Sequence, residues 1–270
     1  MLADLTAGAV QDAEARASER PRALVESVAL ARTPARDALR ALAPADTVKI
    51  IAEVKRASPS RGDLARIPDP ALQARRYADG GASAISVLTE GRRFKGSLAD
   101  LEAVQAAVDL PVLRKDFIAT EYQVLEARAS GADMVLLIVA ALEPRQLRRL
   151  HTMVSDLGMT PLVETHSADE VAIATDLGAR VIGVNARDLS TFELDRDLFG
   201  RLVEKIPQDT VKIAESAVMH PDDVAHYRAA GADVVLVGEA LVTSDPVSTL
   251  QAFIAAGSFP RGRSTSDESA

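Results

Sequence analysis

No cysteine occurs in the 270 residues, so disulfides, thiolate nucleophiles and thiolate-held metals are excluded at once. A basic excess is missing too: the formal net charge is −8 and the pI is near 5.1. Nucleic-acid binding calls for a basic patch, so nucleic acid is not an expected partner. An acidic chain still accommodates a small anion through a few local cations and backbone N–H groups. Long apolar runs are absent as well. The longest, Met134 to Leu142, is far below the roughly 20 residues that span a bilayer. Met1 to Val10 carries Asp4 and lacks the basic start and apolar core of a secretory leader. The expected setting is the cytoplasm, with no membrane partner.

What is present is an alternation. Short β-branched or Leu-rich runs at Val48–Val54, Ala84–Leu88, Val112–Arg114 and Met134–Val139 read as strands. They continue at Pro161–Glu164, Arg180–Val184, Val211–Ala214 and Val234–Val237. Amphipathic helical patterns lie between them, among them Ala71–Ala78, Ser97–Val108, Glu121–Ala129, Pro144–Leu157, Asp169–Leu177 and Asp222–Ala230. A βα alternation implies a parallel sheet covered by helices. Gly81-Ala82, Gly131-Ala132, Gly178-Ala179 and Gly231-Ala232 each close a helix and open a strand, recurring about every 50 residues. Glycine suits the left-handed helix stop. With two βα units per repeat, four repeats give eight strands, so the expected fold is a (β/α)8 TIM barrel. Residues 1–46 read as an N-terminal helical extension broken at Pro21 and Pro34, 47–256 as the barrel, and 257–270 as a disordered tail.

The first strand ends in Ile51-Ala52-Glu53-Val54-Lys55, then breaks into Ser58-Pro59-Ser60-Arg61-Gly62. Ile51, Glu53 and Lys55 share one face at period two. Charges on a face that starts apolar are costly unless they meet a ligand or each other. In barrels of this kind the site lies at the C-terminal strand ends. Glu53, Lys115, Glu164 and Glu215 fall there on the four odd-numbered strands. Because barrel interiors fill in layers of four from alternate strands, these side chains are expected to form one ionisable layer over an apolar core. Two plainer readings stand beside it: strand-end charges facing water, and a buried ion cluster serving fold specificity.

Ala214-Glu215-Ser216-Ala217 and Val237-Gly238-Glu239-Ala240 place small residues after strands seven and eight, the usual phosphate cradle of the fold. Glu239 is expected to lend its N–H and turn its carboxylate away. Asp116 has the opposite parity to Lys115, so it is expected to pair with a loop or helix group. His151, His220 and His226 read as exposed helix residues. His166 is nearer the site, but no second ligand completes a metal set, so no metal and no cofactor are expected.

On Ile51-Ala52-Glu53-Val54-Lys55-Arg56-Ala57-Ser58-Pro59-Ser60, Leu113-Arg114-Lys115-Asp116-Phe117, Gly183-Val184-Asn185-Ala186-Arg187-Asp188-Leu189 and Ala214-Glu215-Ser216, the chain resembles the monofunctional indole-3-glycerol phosphate synthase family. The resemblance runs from the N-terminal helices to about Ala256. It implies a lyase of tryptophan biosynthesis acting on 1-(2-carboxyphenylamino)-1-deoxyribulose 5-phosphate, with loss of CO2 and water. It also implies roles. Lys115 is the acid and Glu164 the base, with Glu53, Lys55 and Asn185 assisting. Phe117, Leu136 and Leu189 wall the aromatic ring, Arg187 faces the carboxylate, and Ser58 and Pro59 shape the first loop. Glu215 joins the substrate contacts from strand seven, while Lys55, Ser216, Ala217, Gly238 and Glu239 hold the phosphate. The N-terminal helices cover the barrel mouth. Ala217 stands where the family usually has Gly, and its Cβ disfavours positive φ.

Other readings remain at this point. A phosphoribosylanthranilate isomerase typically uses a Cys and an Asp, and the missing cysteine counts against it. A non-catalytic anion-binding barrel would keep the phosphate elements without Lys115 and Glu164 facing one another. The expected partner is a phosphorylated small molecule, and the expected state a monomer or weak homo-oligomer.

Overall fold

A computed structural model describes residues 1–188, 191 and 193–259. Eight strands close into a barrel: β1 (Lys49–Val54), β2 (Ala84–Leu88), β3 (Val112–Lys115) and β4 (Met134–Ile138), then β5 (Thr160–Thr165), β6 (Val181–Asn185), β7 (Val211–Glu215) and β8 (Val234–Val237). Each pairs in parallel with the next, and β8 returns to β1. The expected barrel is present, with strand ends displaced by at most a residue or so.

Period-two alternation explains the two cores. Outward-facing Ile50, Ala52, Val87, Val135, Leu137, Val163, Val184 and Val237 belong to the layer between sheet and helices. Inward-facing Ile51, Leu113, Leu162 and Ile213 are fully buried and belong to the cluster inside the barrel. These four stand two residues before Glu53, Lys115, Glu164 and Glu215, so each charged side chain caps an apolar one on its own strand.

Three helices precede the barrel: α1 (Leu2–Glu19), α2 (Arg22–Ala31) and α3 (Ala38–Ala41). The remainder follow the strands as α4 (Pro70–Asp79), α5 (Leu98–Ala107), α6 (Glu121–Ala129), α7 (Pro144–Asp156), α8 (Ala168–Asp176), α9 (Leu198–Leu202), α10 (Pro221–Ala229), α11 (Glu239–Val242) and α12 (Pro246–Ala256). Their starts carry their own signals. Thr120 and Gln123 form a capping box on α6, and Asp69, Ser97, Ser167 and Asp245 each accept a backbone N–H at the start of their helix. Gly81, Gly131, Gly178 and Gly231 all have positive φ, between 79° and 105°, as helix stops require.

The N-terminal extension departs from the expectation that it covers the mouth. Only its first part reaches that end, where Leu5 lines the cavity. Helix α2 packs Val25 and Ala29 on Tyr122, Leu125 and Ala129 of α6. The following segment runs to the opposite end: Arg36 donates to the carbonyls of Gln105, Val108 and Leu110, and its N–H to Asp133. Ala38 and Leu42 join the inner cluster there. Helix α2 stops at Ala31, short of Pro34, because residues before a proline are pushed out of helical geometry and Arg32 is already extended.

At the other terminus, composition groups residues 257–259 with the tail, but they are tied to the barrel. Gly257 ends α12 and its carbonyl accepts from Val48, while that of Phe259 accepts from Arg228. Residues 260–270 lie outside the described residues.

Candidate active site

Parity and strand register bring the odd-strand charges together. Lys115 Nζ lies 2.9 Å from Glu215 Oε2, 3.8 Å from Glu53 Oε2 and 3.8 Å from Glu164 Oε2. Lys55 Nζ holds the other Glu53 oxygen at 2.9 Å, and Ser86 supports Glu53 from β2. The four residues form the expected ionisable layer. The reading of unrelated charges facing water is thereby set aside, since all three carboxylates are buried.

Space for this layer comes from glycine. Gly183 on β6 is the register partner of Glu164, and a Cβ there would meet Glu215 Oε1 at 2.2 Å. A Cβ at Gly238 would meet Glu53 Oε1 at 2.6 Å and Lys55 Nζ at 2.9 Å. Gly238 has negative φ, so its smallness serves the Glu53 and Lys55 side chains.

Above the layer opens a cavity of about 520 Å³, a size suited to a small-molecule ligand. Glu53, Lys55, Ser58, Pro59, Lys115, Phe117, Leu136, Glu164, Asn185, Arg187, Ser216, Ala217, Gly238 and Glu239 all line it. Glu215, expected among the substrate contacts, does not line it; the side chain is buried behind Lys115. Leu189 lies outside the described residues. Phe94, packed 6.2 Å from Phe117 between ring centroids, and Leu236 add apolar wall that the strand-end reading missed.

The turn after β7 is strained. Ser216 and Ala217 both take positive φ, 70° and 56°, a region unfavourable for residues with a Cβ. Ser216 Oγ donates to Asn185 Oδ1 at 2.7 Å, and the Arg187 N–H donates to the same oxygen at 3.0 Å. Glu239 gives its carboxylate to Arg61 of the first loop at 2.7 Å.

Electrostatics divides the carboxylates. Burial pushes Glu53 up, but Lys55 and Lys115 bring it below the ordinary carboxylate value. Burial likewise acts on Glu164, yet His166 and Lys115 hold it down at about 2. Glu215 goes the other way: burial, with Glu164 beside it, lifts it to about 7 despite Lys115. Burial alone would lower Lys115, but Glu215, Glu53 and Glu164 raise it above an ordinary lysine.

Asp116, just past the end of β3, accepts from Thr89 of the loop after β2 at 2.6 Å, and pairs also with the strand residue Arg114 at 3.0 Å, where only a loop or helix partner is expected. His220 is exposed, while His151 and His226 are half-buried against the expectation. Among the described residues no group of metal-ligating side chains is assembled, and no helix is long and apolar enough to cross a membrane.

A family model for indole-3-glycerol phosphate synthase matches residues 2–253. The chain belongs to the indole-3-glycerol phosphate synthase family. It is 71% identical to the indole-3-glycerol phosphate synthase of Leifsonia xyli subsp. xyli over 94% of this chain and 97% of that one. The enzyme of Beutenbergia cavernae is 54% identical, over 96% and 97%. Among solved structures, a thiamine phosphate pyrophosphorylase from Pyrococcus furiosus superposes with a TM-score of 0.59 at 14% identity, covering 78% of this chain and 95% of its own. An N-acetylmannosamine-6-phosphate 2-epimerase from Clostridium perfringens gives 0.60 at 16%, covering 78% and 93%. Those two support the barrel fold alone. The activity is that of an indole-3-glycerol phosphate synthase, a carboxy-lyase of tryptophan biosynthesis, and its substrate is a phosphorylated small molecule.

Proposed function

We propose that the layer of Glu53, Lys115, Glu164 and Glu215 is the acid–base machinery of this family member. The substrate would be 1-(2-carboxyphenylamino)-1-deoxyribulose 5-phosphate. The observation that carries the reading is one ammonium, Lys115, among three carboxylates at the floor of an otherwise largely apolar cavity.

The aryl carbon bearing the carboxylate attacks the ketone carbon, and the carbonyl oxygen gathers negative charge. Lys115 donates its proton there, leaving a hydroxyl. An alkoxide is strongly basic, so an ammonium raised by its neighbours still delivers the proton. Loss of CO2 returns the bonding electrons to the ring and restores aromaticity. Glu164 then takes the amine proton while the hydroxyl leaves as water, protonated from the side of Glu53 and Lys55; the CH2 beside the nitrogen gives up a hydrogen as the nitrogen regains one, which completes the indole. Asn185 orients the reacting centre, and Arg187 faces the substrate carboxylate. Phe117 and Leu136 flank the aromatic ring, with Ser58 and Pro59 over it. Lys55, Ser216, Ala217, Gly238 and the N–H of Glu239 receive the phosphate.

Mixing the purified chain with this substrate and following indole fluorescence is the test. Multiple turnovers are expected. Binding without turnover would leave an anion-binding barrel, and formation of this compound from phosphoribosylanthranilate would mark an isomerase.

A further inference from the structure

His166 has no role in the steps above, yet it stands between two carboxylates. Its Nε2 lies 3.3 Å from Glu164 Oε1 and its Nδ1 lies 3.2 Å from Glu170 Oε2. Glu170 is anchored in turn, because the same oxygen accepts the His166 backbone N–H at 2.8 Å. A neutral imidazole has one N–H and one lone pair, so it would turn the lone pair on one of these anions. Among the described residues Nε2 makes no hydrogen bond, so its approach to Glu164 is an ion-pair contact, and only the doubly protonated ring turns an N–H, not a lone pair, toward both anions. The side chain is 14% exposed, which leaves little water to intervene.

Charge counting gives this cation a purpose. Among the described residues Glu53, Glu164, Glu215 and Glu170 are four carboxylates against Lys55 and Lys115, and a charged His166 brings the cations to three. Glu164 and Glu215 both press on Lys115, but only Glu164 also touches His166. Glu215 Oε1 is buried without a hydrogen-bond partner, and Glu215 does not line the cavity whereas Glu164 does. We propose that His166 is a positioning residue whose cationic ring keeps Glu164 the ionised member of the Glu164–Glu215 pair, so that the carboxylate facing the substrate is the one free to accept a proton. The proposal builds on the assignment of Glu164 as the base. The opposite displacements of the two carboxyls, Glu164 down and Glu215 up, agree with it. The groups that set the balance are Lys115 from β3, Asn185 from β6, Glu215 from β7 and Glu170 from α8.

The test is the pH profile of His166→Gln. Without the ring, the shared proton passes to Glu164. The acid limb of kcat then moves up by several pH units, from about 2, where Glu164 sits in the parent, toward about 7, where the pair keeps its proton. Turnover falls roughly tenfold or more near pH 5.5 and recovers toward pH 8.5. A uniform loss at every pH, or a limb left where the parent has it, overturns the proposal. Nitrogen NMR of the unaltered enzyme gives a second reading, in which both His166 nitrogens are protonated at pH 7.5; a neutral ring overturns it. Should His166→Gln not fold, Glu170→Gln serves: the ring must then lose its proton at lower pH, and an unchanged titration is contrary. Full turnover by Glu164→Gln would remove the base assignment, whereas the NMR reading is independent of turnover.

Discussion

Lys115 and Arg114 are neighbours on β3, and each anchors a buried ion cluster on its own side of the sheet. Outside the barrel, Arg114 is fully buried and meets Asp116 at 3.0 Å, Glu126 at 3.6 Å, Thr89 and the Gln123 carbonyl. Arg16 forks onto Glu126 at 2.6 and 2.8 Å, so two cations meet two anions. Inside, three carboxylates share Lys55 and Lys115, and one carboxylate oxygen has no partner. The outer cluster is closed and braces helices against the sheet. The inner one is incomplete, and incompleteness in a cavity is what chemistry requires. Burial of charge therefore does not mark a site; the manner of its pairing does.

The sharpest break in the comparison is Glu164→Gln. It should lower kcat by roughly 10²- to 10⁴-fold, the usual worth of a positioned acid or base, with substrate binding largely retained; stopped-flow fluorescence reads both. Arg114→Met should do the reverse, leaving Asp116 without its buried cation and Glu126 with Arg16 alone. About 3–5 kcal/mol of stability should be lost in urea titrations, while turnover per folded molecule stays near the parent's. Next in size is Ala217→Gly, which relieves a positive φ of 56°. It should stabilise the fold by about 1 kcal/mol and tighten binding of inorganic phosphate measured by calorimetry. A separate effect concerns pH and stability. Burial would lower the His166 pKa, but Glu164 and Glu170 raise it to about 10, so the folded state keeps a proton that the unfolded chain releases. That stabilisation is fully present below about pH 6.5 and is lost as pH climbs toward the folded value. Urea midpoints between pH 6.5 and 9.5 should therefore fall more steeply for the parent than for His166→Gln.

Much of this was legible in the chain. Period-two parity placed Ile51 under Glu53 and fixed which residues face inward, and the repeated glycines counted the strands. Matching strand-end positions mark the charged layer in the sequence itself. Gly183 and Gly238 were opaque for a plain reason: the side chains needing their space come from other strands, and pairwise crowding leaves no local pattern. His166 shares its parity with Glu164, a usable signal, but it reads as a lone metal ligand until the two carboxylates beside it are in place. Arg61 reaches Glu239 across the mouth, a long-range pair that composition does not announce. The path of the N-terminal extension was hidden too, because Arg36 reads as surface charge until the carbonyls it serves at the far end of the barrel are in place.

The most direct measurement is single-turnover formation of indole by Lys115→Met under saturating substrate. The account predicts that fluorescence from the product appears at least a hundredfold more slowly, with substrate still bound. Product appearing within a few-fold of the parent rate would contradict it.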